Sequence, residues 1–247
     1  MKHFINRYLS EKGQGLVEYA LILSLVVLVV LIGVTMFGSQ LSKTYENVMV
    51  EMPPYESQTS GTHCSSEMSS LDEWNLAGGG KKDEWFAENG KVCNNHGGGS
   101  SFAFSECSQS EDMSNSEDYV IELKDVVLTQ GHGYGIMFRL QNYDKKPNGY
   151  AFQYDPGMNG LVFRKWVKGR EVRKPLASVR LRDYEWYDIP RDIMVRIEGS
   201  TMHAYIDGKL VLSAKDDTYS KGGVGLRTWG KTEVCFDDFS IKSTAEE

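Results

Sequence analysis

The chain has 247 residues, of which 40% are hydrophobic and 25% are charged, and its formal net charge is −7. This length holds one large domain or two small ones, and the composition is that of a folded protein rather than a disordered one. No run of consecutive basic residues is longer than two. The sequence therefore lacks the basic patterning of a nucleic-acid-binding protein, and we expect no nucleic-acid partner.

The first feature along the chain is an apolar segment of membrane length. Residues 16–37 contain one charged side chain, Glu18. As a helix they would extend over about 33 Å, which is enough to cross a hydrocarbon core of about 30 Å. Lys2, Arg7 and Lys12 precede the segment. The positive-inside rule therefore predicts a single membrane pass with a cytoplasmic N-terminus and export of the rest of the chain.

The chain changes character after this segment. The helical spacing continues to residue 52, where Pro53 followed by Pro54 ends it, because a proline disfavours the helical conformation of the residue before it. A stretch rich in Ser, Thr and Gly follows and indicates a linker, which we place at residues 53–60. A folded domain is predicted for residues 61–243.

Short alternating apolar runs dominate this predicted domain, and Gly, Asn, Asp or Pro bound each of them. The sequence YIDGKLVL contains an Asp-Gly pair between two such runs, which predicts a two-residue β-hairpin. Evenly spaced antiparallel strands are typical of an all-β jelly-roll sandwich. The predicted strands are Val120–Leu123, Tyr134–Leu140, Tyr150–Tyr154, Leu161–Val167, Ile193–Ile197, Met202–Ile206, Val224–Trp229 and Val234–Ile241.

Four cysteines lie in the part of the chain that is predicted to be exported: Cys64, Cys93, Cys107 and Cys235. Disulfides form in exported proteins, and an even number of cysteines without a C-x-x-C pair favours two disulfides over a zinc site. Three connectivities are open on this ground alone. The five histidines show no ligand spacing, and we expect no metal and no cofactor.

A basic leader ends in Gly13, Gln14 follows, and Glu18 and Tyr19 are the fifth and sixth residues after the glycine. Together with the apolar helix, this arrangement resembles a type IV prepilin, most closely the Flp (type IVb, tight-adherence) pilins. The resemblance implies that a prepilin peptidase cuts after Gly13, which makes residues 1–13 a leader. It also implies that residues 14–52 form a pilin helix, which inner-membrane assembly machinery polymerises with other copies into an extracellular filament.

The position of Glu18 has a physical reason in such a filament. Cleavage after Gly13 creates a cationic amine on Gln14, and Glu18 of a neighbouring subunit could neutralise it where helices pack side by side. The alternative is a plain membrane anchor, in which Glu18 extends to the cytoplasmic interface. Flp pilins are typically little more than the helix, so a large fused domain departs from that pattern.

The C-terminal part resembles the concanavalin A-like lectin/glucanase sandwich, in particular its bacterial laminin-G-like and sugar-binding members. The segments GYGIMFRLQN, NGYAFQYDPGMNGLVFRKW and GGVGLRTWGKTEVCFDDFSI carry this resemblance. It predicts the fold well and the function poorly, because this fold has many functions. The first and last strands of this fold usually neighbour each other, which implies the disulfides Cys64–Cys235 and Cys93–Cys107.

Strand alternation suggests a binding surface on this domain. Several strands place arginine and tryptophan on the face away from the apolar layer. Indole rings stack on sugar rings, and guanidinium groups bind hydroxyls or carboxylates, so a glycan or surface ligand is expected there. The competing interpretation is a solvated face in which arginine stems cover aromatic rings. The candidate residues are Arg139, Arg164, Trp166, Arg227 and Trp229.

The first function hypothesis is a Flp-like pilin that displays a lectin-like adhesive domain. The second is a membrane-anchored glycan-binding protein that does not polymerise. The third is an anchored glycoside hydrolase. Glycosidases of this fold carry their catalytic carboxyls close together on one strand, in the pattern Glu-x-Asp-x-x-Glu. The sequence contains no such triplet, so we expect no enzyme activity, with a relative of the keto-sugar hydrolase group as the remaining catalytic alternative.

Overall fold

A computed structural model describes residues 18–28, 30, 59–78, 84–95, 98–144 and 146–244. The chain divides into two compact units, Met1–Pro53 and Pro54–Glu247. In the first unit, residues 18–28 form a helix, α1. In the second unit, the described residues form an all-β sandwich with one short helix, Glu111–Asn115.

Helix α1 exposes large apolar side chains to the surroundings, among them Tyr19, Leu21, Leu23 and Leu25. Within the described ranges, no helix is both long and apolar enough to cross a membrane. The predicted transmembrane segment extends beyond α1 in both directions into residues outside those ranges. The predicted processing residues Gly13 and Gln14 also lie outside them.

The strands of the second unit are numbered in chain order. The first eight are β1 Thr59–Ser66, β2 Trp74–Gly78, β3 Trp85–Glu88, β4 Lys91–Asn95, β5 Ser100–Ser105, β6 Tyr119–Gln130, β7 Tyr134–Leu140 and β8 Gly149–Asp155. The others are β9 Gly160–Val167, β10 Arg170–Glu171, β11 Ala177–Arg180, β12 Arg191–Glu198, β13 Thr201–Ile206, β14 Lys209–Lys215, β15 Gly223–Trp229 and β16 Glu233–Thr244.

The strands pair into two antiparallel sheets. Sheet A has the order β14-β13-β12-β6-β16-β4-β3, and β1 also pairs with β16. Sheet B has the order β10-β9-β8-β7-β15-β5-β2, and β11 also pairs with β9. Because many sheet neighbours are distant in the chain, this is a jelly-roll sandwich rather than a meander. The eight strand runs predicted from the sequence are confirmed, as is the antiparallel sandwich.

The β13–β14 hairpin shows how local sequence determines the fold. Asp207 and Gly208 both have positive φ, 52° and 75°, and Ile206 pairs directly with Lys209. Positive φ at both central residues is the type I′ turn, which matches the right-handed twist of the strands. The hairpin predicted from the Asp-Gly pair is therefore confirmed.

The main core lies between the inner faces of the two sheets and is rich in aromatic residues. Tyr134 of β7 stacks on Tyr154 of β8, with 5.0 Å between the ring centroids, and packs edge-on against Phe236 of β16 at 5.4 Å. Phe152 and Phe163, on β8 and β9, are also fully buried there. Rings of this size dominate the apolar area that a core removes from water, and they hold the two sheets together.

Both disulfides form, but the predicted pairing is wrong. The observed bridges are Cys64–Cys107 and Cys93–Cys235. Strand β1 does pair with β16, as expected of first and last strands, but Cys64 lies opposite Ile241 in that register. Cys235 lies further back on β16, directly opposite Cys93 of β4. The prediction that β1 and β16 are neighbours is therefore confirmed, but the predicted position of Cys64 opposite Cys235 is wrong.

The two bridges should differ in their contribution to stability. Cys93 and Cys235 are 142 residues apart in sequence, against 43 for Cys64 and Cys107. If disulfides act by restricting the unfolded chain, the longer loop contributes about 1 kcal/mol more, within a typical range of about 2–5 kcal/mol for each bridge. Denaturant unfolding of the two double serine variants measures this difference. Peptide mapping without reductant provides the control, and any other pairing contradicts the structure.

Candidate functional site

The outer face of sheet B, which points away from the main core, brings arginine and tryptophan side chains together. Trp166 of β9 and Arg227 of β15 are separated by β8 and β7. Those two strands contribute small residues to this face, including Ala151 and Gly135. The long side chains of the outer pair therefore extend across them and meet, with the Arg227 guanidinium 4.5 Å from the centroid of the Trp166 ring.

Arg227 is at the centre of this face. Its guanidinium carbon also lies 4.4 Å from the centroid of the Trp229 ring, so the cation is held between two indoles. Its Nη1 lies 3.0 Å from Oε1 of Glu171, and its Nη2 donates to Oγ of Ser100 over 3.2 Å. Burial lowers the pKa of Arg227 to about 10, against the opposing effect of Glu171. The guanidinium remains charged at neutral pH.

Glu171 of β10 contacts both Arg227 and a second arginine, Arg164. Its Oε1 accepts a hydrogen bond of 2.7 Å from Nε2 of Gln153, and its Oε2 lies 3.5 Å from Nε of Arg164. Nη1 of Arg164 donates to the carbonyl oxygen of Arg173 over 3.1 Å, which ties β9 to the segment after β10. We call Arg164, Trp166, Glu171, Arg227 and Trp229 the arginine–tryptophan cluster.

The members of the cluster differ in how far a ligand can reach them. The Trp166 side chain is 3% exposed, and Phe102 packs edge-on against its ring with 6.0 Å between centroids. Trp229 is half-buried, and the side chain of Glu171 is 30% exposed. Trp166 and Arg227 thus form the floor of the face, while Trp229 and Glu171 reach the surface.

Glycines make room for the Trp229 ring. A Cβ on Gly133 would lie 3.1 Å from Cζ2 of Trp229, and a Cβ on Gly135 would lie 3.8 Å from its Cζ3. Gly133 also has a φ of +129°, which other residues rarely adopt. The indole can therefore lie against the backbone of β7 instead of standing out from the sheet.

Arg139 does not belong to the cluster, and its predicted place on this face is wrong. It has a φ of +50°, and the pairing of β7 with β15 shifts register beside it. Such a bulge reverses the alternation of side chains. Arg139 is 1% exposed, and its guanidinium donates to the carbonyl oxygens of Glu117, Gly199 and Tyr219. Its contacts are therefore structural.

Two carboxylates of this region were missed by sequence reasoning. Glu171 belongs to a two-residue strand, which is too short to show alternation. Asp155 ends β8 and is 6% exposed, and its Oδ1 accepts a hydrogen bond of 3.0 Å from the Met158 amide. Burial raises the pKa of Asp155, Glu171 raises it further, and the Met158 amide, Arg227 and Arg164 oppose the shift. The Asp-Pro-Gly sequence after β8 indicated a turn but not a buried acid.

No group of three or more His, Cys, Asp or Glu side chains in the described ranges is arranged to hold a metal ion. What the described residues of the outer face offer is a partly exposed indole, a partly exposed carboxylate and buried cations beneath them. This arrangement can stack on a flat apolar surface and exchange hydrogen bonds with hydroxyl groups.

The two antiparallel sheets in jelly-roll order define a lectin-like β-sandwich. Comparison with known proteins supports this fold. The sequence of residues 67–242 matches the family described as the 3-keto-alpha-glucoside-1,2-lyase-like domain, and the chain belongs to this family. Levanase from Bacillus subtilis (strain 168) is 29% identical over 176 residues, which are 68% of this chain and 22% of levanase. The chain therefore spans about a fifth of the length of this curated relative.

Solved structures with the same fold include the carbohydrate-binding module CBM66 from Bacillus subtilis. It has a TM-score of 0.56 and 22% identity, over 69% of this chain and 96% of the module. A Bacillus subtilis protein of unknown function with a galectin-like fold has a TM-score of 0.59 and 12% identity, over 77% of this chain and all of that protein. The exoplasmic/lumenal domain of VIP36, bound to Ca²⁺ and mannose, has a TM-score of 0.56 and 10% identity, over 71% of this chain and 84% of that domain. At these identities the likeness shows the fold alone, and it confirms the predicted lectin-like sandwich.

Asp155 should make the domain less stable at neutral pH than an amide would. Its pKa is raised in the folded state, so its favourable contribution is complete below the unfolded-state pKa of about 3.9 and is lost as the pH rises through the folded-state pKa. Asp155→Asn keeps the acceptor for the Met158 amide without the charge. We expect it to unfold at a higher urea concentration than the wild type at pH 7, with the difference shrinking toward pH 4.

Asp183→Asn is the matched control, because Asp183 is exposed. Exposed surface substitutions usually change the free energy of unfolding by less than about 0.5 kcal/mol. A lower stability of Asp155→Asn at pH 7 would mean that attraction to Arg164 and Arg227 outweighs the burial of the carboxylate, contrary to the direction of its pKa.

Proposed function

We propose that the β-sandwich is a glycan-binding domain and that the arginine–tryptophan cluster contacts the sugar. The observation that carries this proposal is the arrangement at the surface of the cluster. Trp229 is half-buried and lies against Gly133 and Gly135, and both its ring and the partly exposed carboxylate of Glu171 contact the Arg227 guanidinium. A sugar ring has an apolar face that stacks on an indole and hydroxyls that donate to a carboxylate, so both features suit it.

The cations beneath the surface support the same interpretation. Nε of Arg227 and Nε1 of Trp166 are buried, and they have no hydrogen-bond partner among the described residues. Unsatisfied buried donors cost free energy, and proteins usually tolerate such costs at functional sites. The two arginines also hold Glu171 in place through its ion pairs, so its carboxylate is oriented before a ligand arrives.

The relatives add independent support. The levanase relative makes levan the first glycan to test, and the modules of known structure with this fold include a carbohydrate-binding one. The family is described by a lyase activity, so a catalytic role is the alternative outcome. Incubation of each bound glycan with the protein, followed by analysis of released sugars, distinguishes the two: release of product at a rate that depends on Asp155 or Glu171 would replace the binding proposal.

The central test is a titration of residues 54–247 with levan and a panel of other glycans. We expect weak binding by a single domain, and Trp229→Ala should weaken it about tenfold, since an aromatic contact is worth about 0.5–1.5 kcal/mol and 1.4 kcal/mol is a factor of ten. Phe86→Ala is the matched control, because Phe86 is a partly exposed aromatic residue on sheet A. Equal loss of binding in both variants, or unfolding of Trp229→Ala, would refute the assignment of the cluster.

A second proposal concerns the first unit of the chain, namely that α1 anchors the protein in a membrane before assembly and packs against other copies in an extracellular filament. Tyr19 is 78% exposed and Leu23 70%, and apolar side chains cover the described helix. Exposed apolar side chains on a helix are stabilised by lipid or by other helices. The Gly13, Gln14, Glu18 and Tyr19 pattern supports the Flp pilin interpretation.

Intact-mass measurement of the protein from its native host tests this second proposal. We expect a mature chain that starts at Gln14, and a chain that retains residues 1–13 would exclude prepilin processing. Glu18→Ala should insert in the membrane as well as the wild type or better, because a charge costs about 2.5–3.5 kcal/mol at a helix centre. It should nevertheless give fewer filaments. A normal filament yield would leave α1 as a plain anchor.

A further inference from the structure

One segment of the chain is strongly basic, although the protein as a whole is acidic. Residues 164–183 contain eight basic and two acidic residues, a net charge of +6 in a chain of −7. Arg164 and Lys165 have carboxylate partners, Glu171 and Asp216. The other six are exposed, and none of them forms an ion pair with a described residue. We call these six the basic strip: Lys168, Arg170, Arg173, Lys174, Arg180 and Arg182.

The basic strip begins at the arginine–tryptophan cluster. Arg173 provides the carbonyl oxygen that Arg164 binds. Arg180 pairs directly with Gly160 of β9, so it lies on the same outer face of sheet B as Arg164, because directly paired residues share a face. Gly160 and Arg164 are four residues apart, which is about 13 Å along a strand. A chain of several sugar units can span this distance.

A surface depression lies at the far end of this span. Its lining includes Met158, Asn159, Arg180, Arg182, Asp183 and Trp186. Met158 separates the depression from the cluster, since its Sδ lies 3.7 Å from Nη2 of Arg164. Two unpaired guanidinium groups beside one exposed carboxylate leave the depression positively charged.

From these observations we propose that the ligand is an acidic glycan, and that Arg180 and Arg182 bind its carboxylates while the cluster holds a sugar ring. This inference rests on the proposed function of the cluster. Guanidinium groups form bidentate hydrogen bonds with carboxylates. A positively charged surface also attracts an anionic ligand and raises its association rate. Arg180 and Arg182 line the same depression, so their charges repel each other in the free protein, and a bound carboxylate removes that repulsion.

The test uses the full chain and three series of oligosaccharides, made of galacturonate, mannuronate or glucuronate. Each series is compared with its carboxyl-reduced counterpart, which has the same sugar skeleton without the charge. We expect the wild type to bind at least one acidic series at low salt about tenfold more tightly than its reduced form. This preference should disappear in 0.5 M salt, where the Debye length falls to a few ångströms.

The variant Arg180→Gln with Arg182→Gln should lose most of the preference for the acidic form and retain its affinity for the reduced form. Lys215→Gln with Lys221→Gln is the matched control. It removes the same charge, and both lysines are exposed and lie at the opposite end of the sandwich, beside Gly199 and the start of β15. If both double variants lose the preference equally, the effect comes from net charge and the site at Arg180 and Arg182 is refuted.

Failure of this inference can be told apart from failure of the proposed function. Binding of levan or a reduced glycan that depends on Trp229, without preference for acidic sugars, would overturn the acidic ligand and leave glycan binding intact. Binding of none of the sugars would overturn both. Vesicles that contain phosphatidylserine are a parallel probe, and binding to them through Arg180 and Arg182, with no binding to uronates, would assign the basic strip to a membrane surface instead.

Discussion

A guanidinium group that is removed from water must be compensated by its surroundings, because it remains charged at neutral pH. Arg227 imposes this constraint on sheet B. Its compensation comes from Trp166 on β9, Glu171 on β10, Ser100 on β5 and Trp229 on its own strand. Four strands therefore have to be positioned together before this one cation is stable. The same contacts fix the orientation of Glu171. The partly exposed carboxylate that can meet a ligand is therefore held in place by the buried Arg227 guanidinium.

This constraint is met in the centre of sheet B, which is buried on both faces, unlike a sheet with one solvated side. Every residue of β7 and β8 is buried. Their inner faces carry the rings of the main core, and their outer faces join a second apolar cluster that includes Phe102, Phe104, Met137 and Trp166. Buried apolar neighbours exclude water around the Arg227 guanidinium and strengthen its interaction with Glu171. The second apolar cluster therefore does more than stabilise the fold, because it also keeps water away from the Arg227–Glu171 ion pair.

The sequence predicted these strands and the Asp-Gly hairpin, because alternation and turn chemistry are local properties. It also placed Arg164, Trp166, Arg227 and Trp229 on one face, because β9 and β15 are regular over those residues. It failed at Arg139, where a bulge with positive φ reverses the alternation. Such a bulge cannot be recognised from the sequence of a mostly apolar strand. The disulfide prediction failed for a related reason: β1 and β16 are neighbours as predicted, but Cys64 lies opposite Ile241 because register depends on pairing along the whole sheet. Glu171 and Asp155 were not predicted as site residues, because the ion pairs of Glu171 and the burial of Asp155 depend on tertiary contacts between strands.

The two kinds of basic residue in this domain suggest a division of roles along the outer face. Arg164 and Arg227 are buried and bound to Glu171, so their charge is largely used within the protein. Arg180 and Arg182 are exposed and have no carboxylate partner among the described residues, so their charge is available to a ligand. A sugar that met only the cluster would find one partly exposed carboxylate and one indole, a pairing that selects hydroxyls over acidic groups. Any preference for acidic sugars must therefore come from the basic strip outside the cluster, and we assign it to Arg180 and Arg182 in the depression, which can be altered independently of the cluster.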